Sequence, residues 1–440
     1  MQRQRIDGLY MVLLGSAIFL LVGMVLERVS PAADADFRLM YLSARCLLEH
    51  KDPYLEPVLT AMYTSEGGIR AENITPSSPV ITKLIYLPTV FIFTTPFALL
   101  PYAVAHVFWL MLTAGLLIMA ALAMWHEGAE YAPILSGLLV GATVANCELF
   151  LVLGNPGGIV AGLSVLSAWC FIRNRYAVAG VVAMALCLMM KPHETGPVWL
   201  FFLIAGGIWR RRALQTLALT AVLSVPTVLW VTSVVPNWPQ ELRAIEKAGS
   251  VRGAENDPGP TSRGSHGIGM VISAQAAFSL IRDEPSFYNT ASYLLCGPLI
   301  LAWCTRAWRA GTSSKMAWMA LAAMSAISML PVYHRMYDAR LMLLAVPACA
   351  LLWVRGGIRA WCAAILSAVA LFVTSALPWA VFLLLIPRLH LPGLLGSSEA
   401  LLILQIVPVP LTLLVTGVFY LWMYLRPGSP AATEVSEPGS

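Results

Sequence analysis

Residues 103–125 read AVAHVFWLMLTAGLLIMAALAMW, twenty-three positions without one aspartate, glutamate, lysine or arginine. At about 1.5 Å of rise per residue this run makes a helix of roughly 35 Å, enough to cross the hydrocarbon core of a bilayer. Lipid offers no partner to backbone amides, so such a stretch must satisfy its own hydrogen bonds, as a helix does. Comparable apolar runs recur on both sides, near 9–26, 84–100, 131–152, 157–172, 176–190, 196–209, 214–235, 288–304, 316–331, 341–354, 360–386 and 400–425. The chain therefore reads as all-α, a polytopic transmembrane helical protein of about 12–13 hydrophobic segments. Of its 440 residues 58% are apolar and 12% charged, and that balance excludes a soluble enzyme.

Residues 1–426 form one membrane domain, and the tail 427–440, rich in Pro, Ser, Ala and Glu, is expected to be disordered on the cytoplasmic side. The net charge of +5 comes from basic residues scattered in ones to threes, which argues against nucleic acid as a partner. Seven of eight cysteines fall in apolar segments and only Cys46 in a polar one, a pattern that predicts neither disulfides nor a zinc site. The run 9–26 ends in Glu27-Arg28 without a small-residue cleavage site, so it is expected to stay as a first helix.

Lysine and arginine in short connections mark the inner side of a membrane protein. Arg3/Arg5, Arg173/Arg175, Arg210 to Arg212, Arg306/Arg309/Lys315, Arg355/Arg359 and Arg426 are placed inside by that rule. Three polar regions then face out: 27–83, 236–287 and the turn Tyr333 to Arg340. Lys191-Pro192-His193-Glu194 turns on the same face. Before Arg173 the alternation fails by one crossing. Either 84–100, with Pro88, Pro96 and Pro101, stops short, or the break Leu153-Gly154-Asn155-Pro156-Gly157-Gly158 interrupts a span.

Five places carry chemistry. Asp34 and Asp36 follow the first apolar run, where a carboxylate would meet substrates at the lipid surface; the plainer reading makes Asp36 the N-cap of a helix over 37–48. Lys191 closes a span, either snorkelling to the interface or meeting a lipid-linked phosphate. Tyr333-His334-Arg335-Met336-Tyr337-Asp338-Ala339-Arg340 gathers two guanidiniums, an imidazole and a carboxylate, more than an interfacial turn needs. Glu148 lies inside an apolar run, as a functional carboxylate or as a pin for a helix break. Gly154-Asn155-Pro156-Gly157-Gly158 follows no strand, so its glycines suit a tight turn or close backbone approach rather than a phosphate loop.

The order of these pieces resembles glycosyltransferase family 87, within the type C superfamily of polyprenyl-phosphate-sugar-dependent membrane enzymes. The carrying segments are Asp36 to Tyr41, Lys51-Asp52-Pro53-Tyr54, Tyr86-Leu87-Pro88 with Pro96 to Pro101, Leu153-Gly154-Asn155, Met189-Met190-Lys191-Pro192 and Tyr333 to Asp338. Two segments depart from the family, which often has Gly-Gln at Gly154-Asn155 and Trp-x-His at the late turn. The resemblance implies an inverting transfer of a hexose or pentose, mannose-like, from a polyprenyl-phosphate donor to a lipid or glycan acceptor at the outer face. It casts Asp36 as general base and Lys191, His334 and Arg335 as ligands of the donor phosphate. Asp34, Tyr41, Tyr54, Asn155, His193, Tyr337 and Asp338 become candidate substrate contacts. The implied partners are membrane lipids, the polyprenyl-phosphate sugar and a glycan or glycolipid acceptor. No cofactor is implied beyond the donor, and no metal ligand set is identified. The expected location is a bacterial inner membrane, with the active site extracytoplasmic. The competing classes are a transporter or flippase of an anionic lipid or solute, and a non-catalytic envelope-assembly subunit. A carrier calls for charge along several helix midpoints, where this chain shows Glu148.

Overall fold

A computed structural model describes residues 2–30, 33–66, 83–254, 256–260, 271–376, 379, 381 and 403–426. The tail 427–440, residues 67–82 and 261–270 of the two outer regions, and most of 377–402 lie outside the described residues. Regular structure among the described residues is helical, apart from a single antiparallel bridge between Val271 and Arg335.

The run quoted first lies in α5 (Tyr102–Ala129), preceded by α1 (Gln2–Val29), α2 (Ala35–Leu48), α3 (Glu56–Ser65) and α4 (Phe91–Ala98). Next come α6 (Pro133–Ala145), α7 (Glu148–Leu153), α8 (Gly157–Ile172), α9 (Ala177–Met190), α10 (Pro192–Ala205), α11 (Gly207–Val234), α12 (Trp238–Gly249), α13 (Ala274–Ser279), α14 (Pro285–Ala310) and α15 (Ser314–Ile327). A 3-10 helix (Met336–Leu344) runs into α16 (Ala345–Trp353), and α17 (Gly357–Val373) and α18 (Pro408–Leu425) complete the bundle. Among the described residues six helical spans are long and apolar enough to cross a membrane: Gln2–Val29, Tyr102–Ala129, Pro133–Leu153, Gly207–Val234, Met336–Trp353 and Ile403–Leu425.

The crossing that fails to balance is now located. With eight residues α4 is about 12 Å long, far short of a bilayer core. Both ends of its stretch are tied to one end of the bundle, Thr89 donating to the Met189 carbonyl (2.7 Å) and the Leu100 carbonyl accepting from Tyr41 (2.8 Å). The segment therefore dips in and returns. The run 131–152 matches the one span Pro133–Leu153, which is interrupted at Asn146-Cys147 between α6 and α7. With 84–100 off the count, the remaining helices alternate between two chemically distinct ends.

One end collects the arginines of the short connections. Arg173 holds Glu127 and Glu130, each at 2.5 Å, and Arg212 reaches the Phe171 carbonyl (3.2 Å) and Asn174. Arg306 lies over Tyr424 and Arg426 over Trp422. Arg210 to Arg212, read as a loop, belong to the first turns of α11, which begins just after Gly206. The opposite end carries α2, α4, the α7–α8 turn, Lys191 and the turn before Met336.

Small residues set the helix spacing between α1 and α6. A Cβ at Gly15 would stand 2.1 Å from the Gly141 carbonyl oxygen, and one at Gly137 2.4 Å from that of Gly8. Backbones this close gain dispersion and leave no room for side chains. Gly141→Leu is expected to lower stability by about 1–3 kcal/mol and loosen α1 from α6. Thermal unfolding of the purified variant checks it, and an unchanged midpoint would count against this contact.

A second core underlies that opposite end, where Phe37, Tyr41, Tyr54, Phe91 and Trp109 are all buried. The ring of Phe37 packs on Trp109 at 4.8 Å and on Phe97 at 6.3 Å, which pins α2 across α4 and α5. That packing places the first turn of α2 over the α7–α8 turn.

Candidate active site

Helix α2 begins two residues earlier than its hydrophobic pattern suggests, and this settles the capping question. Asp34 occupies the cap position with a left-handed backbone (φ 56°), and its side chain makes no cap bond. It pairs instead with Arg38, at 3.0 and 2.8 Å, and accepts from Tyr102 at 2.6 Å. Asp36 is not a cap. It lies in the first turn, half-buried, where the free N–H groups of the helix favour negative charge.

Asn155 reaches Asp36 across 119 residues of sequence. Its Nδ2 donates to Asp36 Oδ2 at 2.6 Å and toward the Tyr337 hydroxyl at 3.2 Å, while its Oδ1 accepts the Gly157 N–H at 2.7 Å. The amide is oriented by that last bond, so its NH2 side must face the carboxylate. Gly154 makes the approach possible. It turns at φ 62°, and a Cβ there would lie 2.6 Å from Phe37 Cβ. Its carbonyl accepts from Trp109 Nε1 at 2.8 Å, and Asp34 N–H bonds Val152 O at 2.7 Å, locking the turn beneath α2.

Lys191 does not snorkel. Only 7% exposed, its Nζ donates to Asp338 Oδ1 at 2.9 Å and pairs with Glu194 Oε2 at 3.5 Å. Burial opposes its charge, but Asp338 and Glu194 outweigh that and hold the ammonium well above its ordinary value. It also lies over the Tyr337 ring at 5.4 Å. Gly157 leaves room for this, since a Cβ there would stand 2.9 Å from Lys191 Nζ and 2.8 Å from Asn155 Oδ1. Two carboxylates thus already flank the cation.

The late polar stretch is a turn only as far as Arg335. From Met336 it winds into the 3-10 helix, whose start is capped by Asp338 Oδ2 accepting the Arg335 N–H at 2.9 Å. Arg335 donates from Nε to the Tyr333 hydroxyl and lies over that ring. His334 is fully buried, its Nδ1 3.2 Å from the Val332 carbonyl, its Nε2 without a hydrogen-bond partner, and its ring 5.3 Å from that of His193. Residues 271–274 fasten this turn from outside, Ile272 N–H bonding His334 O at 2.9 Å and Ala274 N–H bonding Leu330 O at 2.9 Å. Nothing in the sequence signals that pairing, because a single bridge has no periodicity.

Asp36, Asn155, Tyr337, Lys191, Asp338, His193, His334 and Arg335 therefore converge on one end of the bundle. Tyr86 joins them, its phenol raised by burial and by the nearby Asp36 carboxylate. Asp34 is taken up by Arg38 and Tyr102. Tyr41 and Tyr54 use their hydroxyls on the Leu100 and Tyr86 carbonyls (2.8 and 3.1 Å) and pack in the core below. Burial pushes the Glu194 carboxyl up to about 8, so Asp338 supplies most of the negative charge beside Lys191.

Burial holds the His334 imidazole below its ordinary 6.5. The unfolded chain takes up that proton as pH falls through about 6.5 and the folded chain does not, so stability is lost below this pH and is unaffected above it. The expected loss is at most about 1.4 kcal/mol per pH unit. Melting curves of wild type and His334→Gln between pH 5 and 8 test it: the variant should show the shallower decline, and parallel curves would refute the assignment.

Residues 84–333, more than half of the chain, match the family model of glycosyltransferase family 87. No curated protein and no solved structure matches.

Proposed function

The chain belongs to glycosyltransferase family 87 and is an integral-membrane glycosyltransferase, and from that premise we propose that it transfers a hexose or pentose, mannose-like, from a polyprenyl phosphate to a lipid or glycan acceptor, with inversion, at the extracytoplasmic face of a bacterial inner membrane. One observation carries the reading. A half-buried carboxylate, Asp36, is held by a neutral amide next to a buried ammonium, at the end of the bundle opposite Arg173, Arg212 and Arg306.

In this reading the acceptor hydroxyl attacks the anomeric carbon while its proton passes to an Asp36 carboxylate oxygen, and the bond from that carbon to the phosphate oxygen breaks. The electron pair leaves with the polyprenyl phosphate. Asn155 fixes the carboxylate's direction without donating a full charge, so Asp36 stays a base. Lys191, His334 and Arg335 flank the departing phosphate, and stabilising such developing charge is often the largest catalytic contribution. His334 Nε2, buried and unpartnered, is a group that a bound ligand would satisfy.

Transfer of radiolabelled sugar from defined polyprenyl-phosphate donors, in membranes carrying the protein, tests the donor class directly. Turnover with nucleotide sugars alone would overturn it. For the face, Lys247→Cys in the exposed part of α12 should react with an impermeant maleimide added to intact cells. Labelling from the cytoplasmic side only would invert the orientation.

A further inference from the structure

Arg210, Arg211 and Arg212 follow one another in the first turns of α11, yet their side chains meet three different surroundings. Arg212 is buried and reaches the Phe171 carbonyl at 3.2 Å. Arg210 is exposed. It donates from Nε to the Leu203 carbonyl at 3.0 Å and from Nη2 to the Ile204 carbonyl at 3.3 Å, at the end of α10, and lies over the Trp308 ring of α14 at 5.4 Å. Arg211 is exposed and has no hydrogen-bond or ion-pair partner among the described residues. Among those residues no carboxylate comes within 4 Å of any of the three. Against this stretch lies an open pocket of about 500 Å³, lined by Gly207, Arg210, Arg211, Leu214, Gln215 and Ala218. Their three- and four-residue spacing makes them one stripe of the helix. The stripe continues through Val222, Val225 and Leu229, all exposed, and the apolar stretch of α11 is 11% buried, the lowest share of the six spans.

Two unmatched cations at the end of a membrane helix, continuous with a lipid-facing apolar stripe, fit a molecule that is anionic at one end and hydrocarbon at the other. Basic pockets among transmembrane helices collect acidic lipid headgroups, each cation near the surface strengthening the attraction roughly fivefold. We propose that this pocket binds the phosphate headgroup of an anionic glycerophospholipid, in the leaflet at the arginine end of the bundle, with its acyl chains along Leu214, Ala218 and Val222. The guanidinium of Arg211 pairs with the phosphate, and Arg210, held by the α10 carbonyls, adds the second charge. A free phosphate would occupy the arginines and leave the apolar stripe uncovered, so the lipid is the occupant. The pocket lies at the opposite end of the bundle from Asp36 and Lys191, and lipid binding there does not depend on sugar transfer.

The test uses the purified full chain in a neutral maltoside detergent, with bound lipid counted by native mass spectrometry. Dioleoylphosphatidylglycerol is titrated and, separately, dioleoylphosphatidylcholine, which has the same chains and no net charge. Wild type should bind the phosphatidylglycerol about tenfold more tightly or better. Arg211→Gln should weaken that binding about fivefold and leave the melting temperature and the phosphatidylcholine binding unchanged. Arg210→Gln should weaken it as well and also lower the melting temperature, since it strips the Leu203 and Ile204 carbonyls of their donor. Ala218→Trp, at an exposed position, fills the pocket with both arginines in place and should weaken binding severalfold. Arg175→Gln removes an exposed arginine of the same end that does not line the pocket, and should bind as wild type does. Equal affinity of wild type for the two lipids, or undiminished phosphatidylglycerol binding in Arg211→Gln or Ala218→Trp, would overturn the site. Equal losses in Arg175→Gln and Arg211→Gln would also overturn it, because the attraction would then belong to the whole basic end and not to this pocket.

Discussion

Asp36→Asn is expected to reduce sugar transfer by about two to four orders of magnitude, with the protein still inserted and folded. The substitution keeps the side chain's shape, and the remaining oxygen of the new amide can still accept from Asn155 Nδ2, so the Asp36–Asn155 contact survives. What disappears is the basic oxygen that takes the acceptor's proton. The neighbouring carboxylate provides the contrast. Asp34 is bound to Arg38 and Tyr102, so Asp34→Asn weakens a local ion pair and should act on stability more than on turnover. Measured transfer rates for the two purified variants, with melting temperatures beside them, separate the roles. Wild-type turnover in Asp36→Asn would end the assignment of the base.

Lys191→Ala is expected to destabilise the fold by about 3–5 kcal/mol, because it leaves Asp338 as a buried carboxylate without a cation, beside a Glu194 carboxyl already pushed up to about 8 by burial. Were Lys191 only a ligand of the donor phosphate, its removal would weaken donor binding with stability nearly unchanged. The two carboxylates reverse that expectation for stability. Asp338→Asn should cost less than Lys191→Ala. The double substitution should be less damaging than the sum, since each residue's penalty arises from stranding the other. A double-mutant cycle on thermal or denaturant unfolding gives the coupling directly. Strict additivity would show that the 2.9 Å contact contributes nothing to the fold. Donor binding is measured in parallel on whatever fraction remains folded, which keeps a phosphate role for Lys191 open to its own test.

Hydropathy is a local property, so the apolar runs, their helical character and the sidedness of the arginines are written in the sequence itself. Most of the apolar runs coincide with helices, 84–100 being the run that does not cross, and the arginines of the short connections gather at one end as the inside rule requires. Candidate site residues were legible for the same reason: a charge beside an apolar run is conspicuous wherever its partner lies. Partners are not local. The Asp36–Asn155 bond joins positions 119 residues apart and the Lys191–Asp338 pair positions 147 apart, and no periodicity records such distances. Only the packing of Phe37 on Trp109 and the turn at Gly154 decided that Asp36, not Asp34, faces Asn155. The length of α4 decided which stretch fails to cross, because prolines announce a break without saying whether the chain continues or turns back. Composition thus determined what kind of protein this is and which charged connections share an end of the bundle. Tertiary contact alone determined which charges are matched, since a buried charge's energy depends on neighbours that the fold, and not the chain order, brings within hydrogen-bond reach.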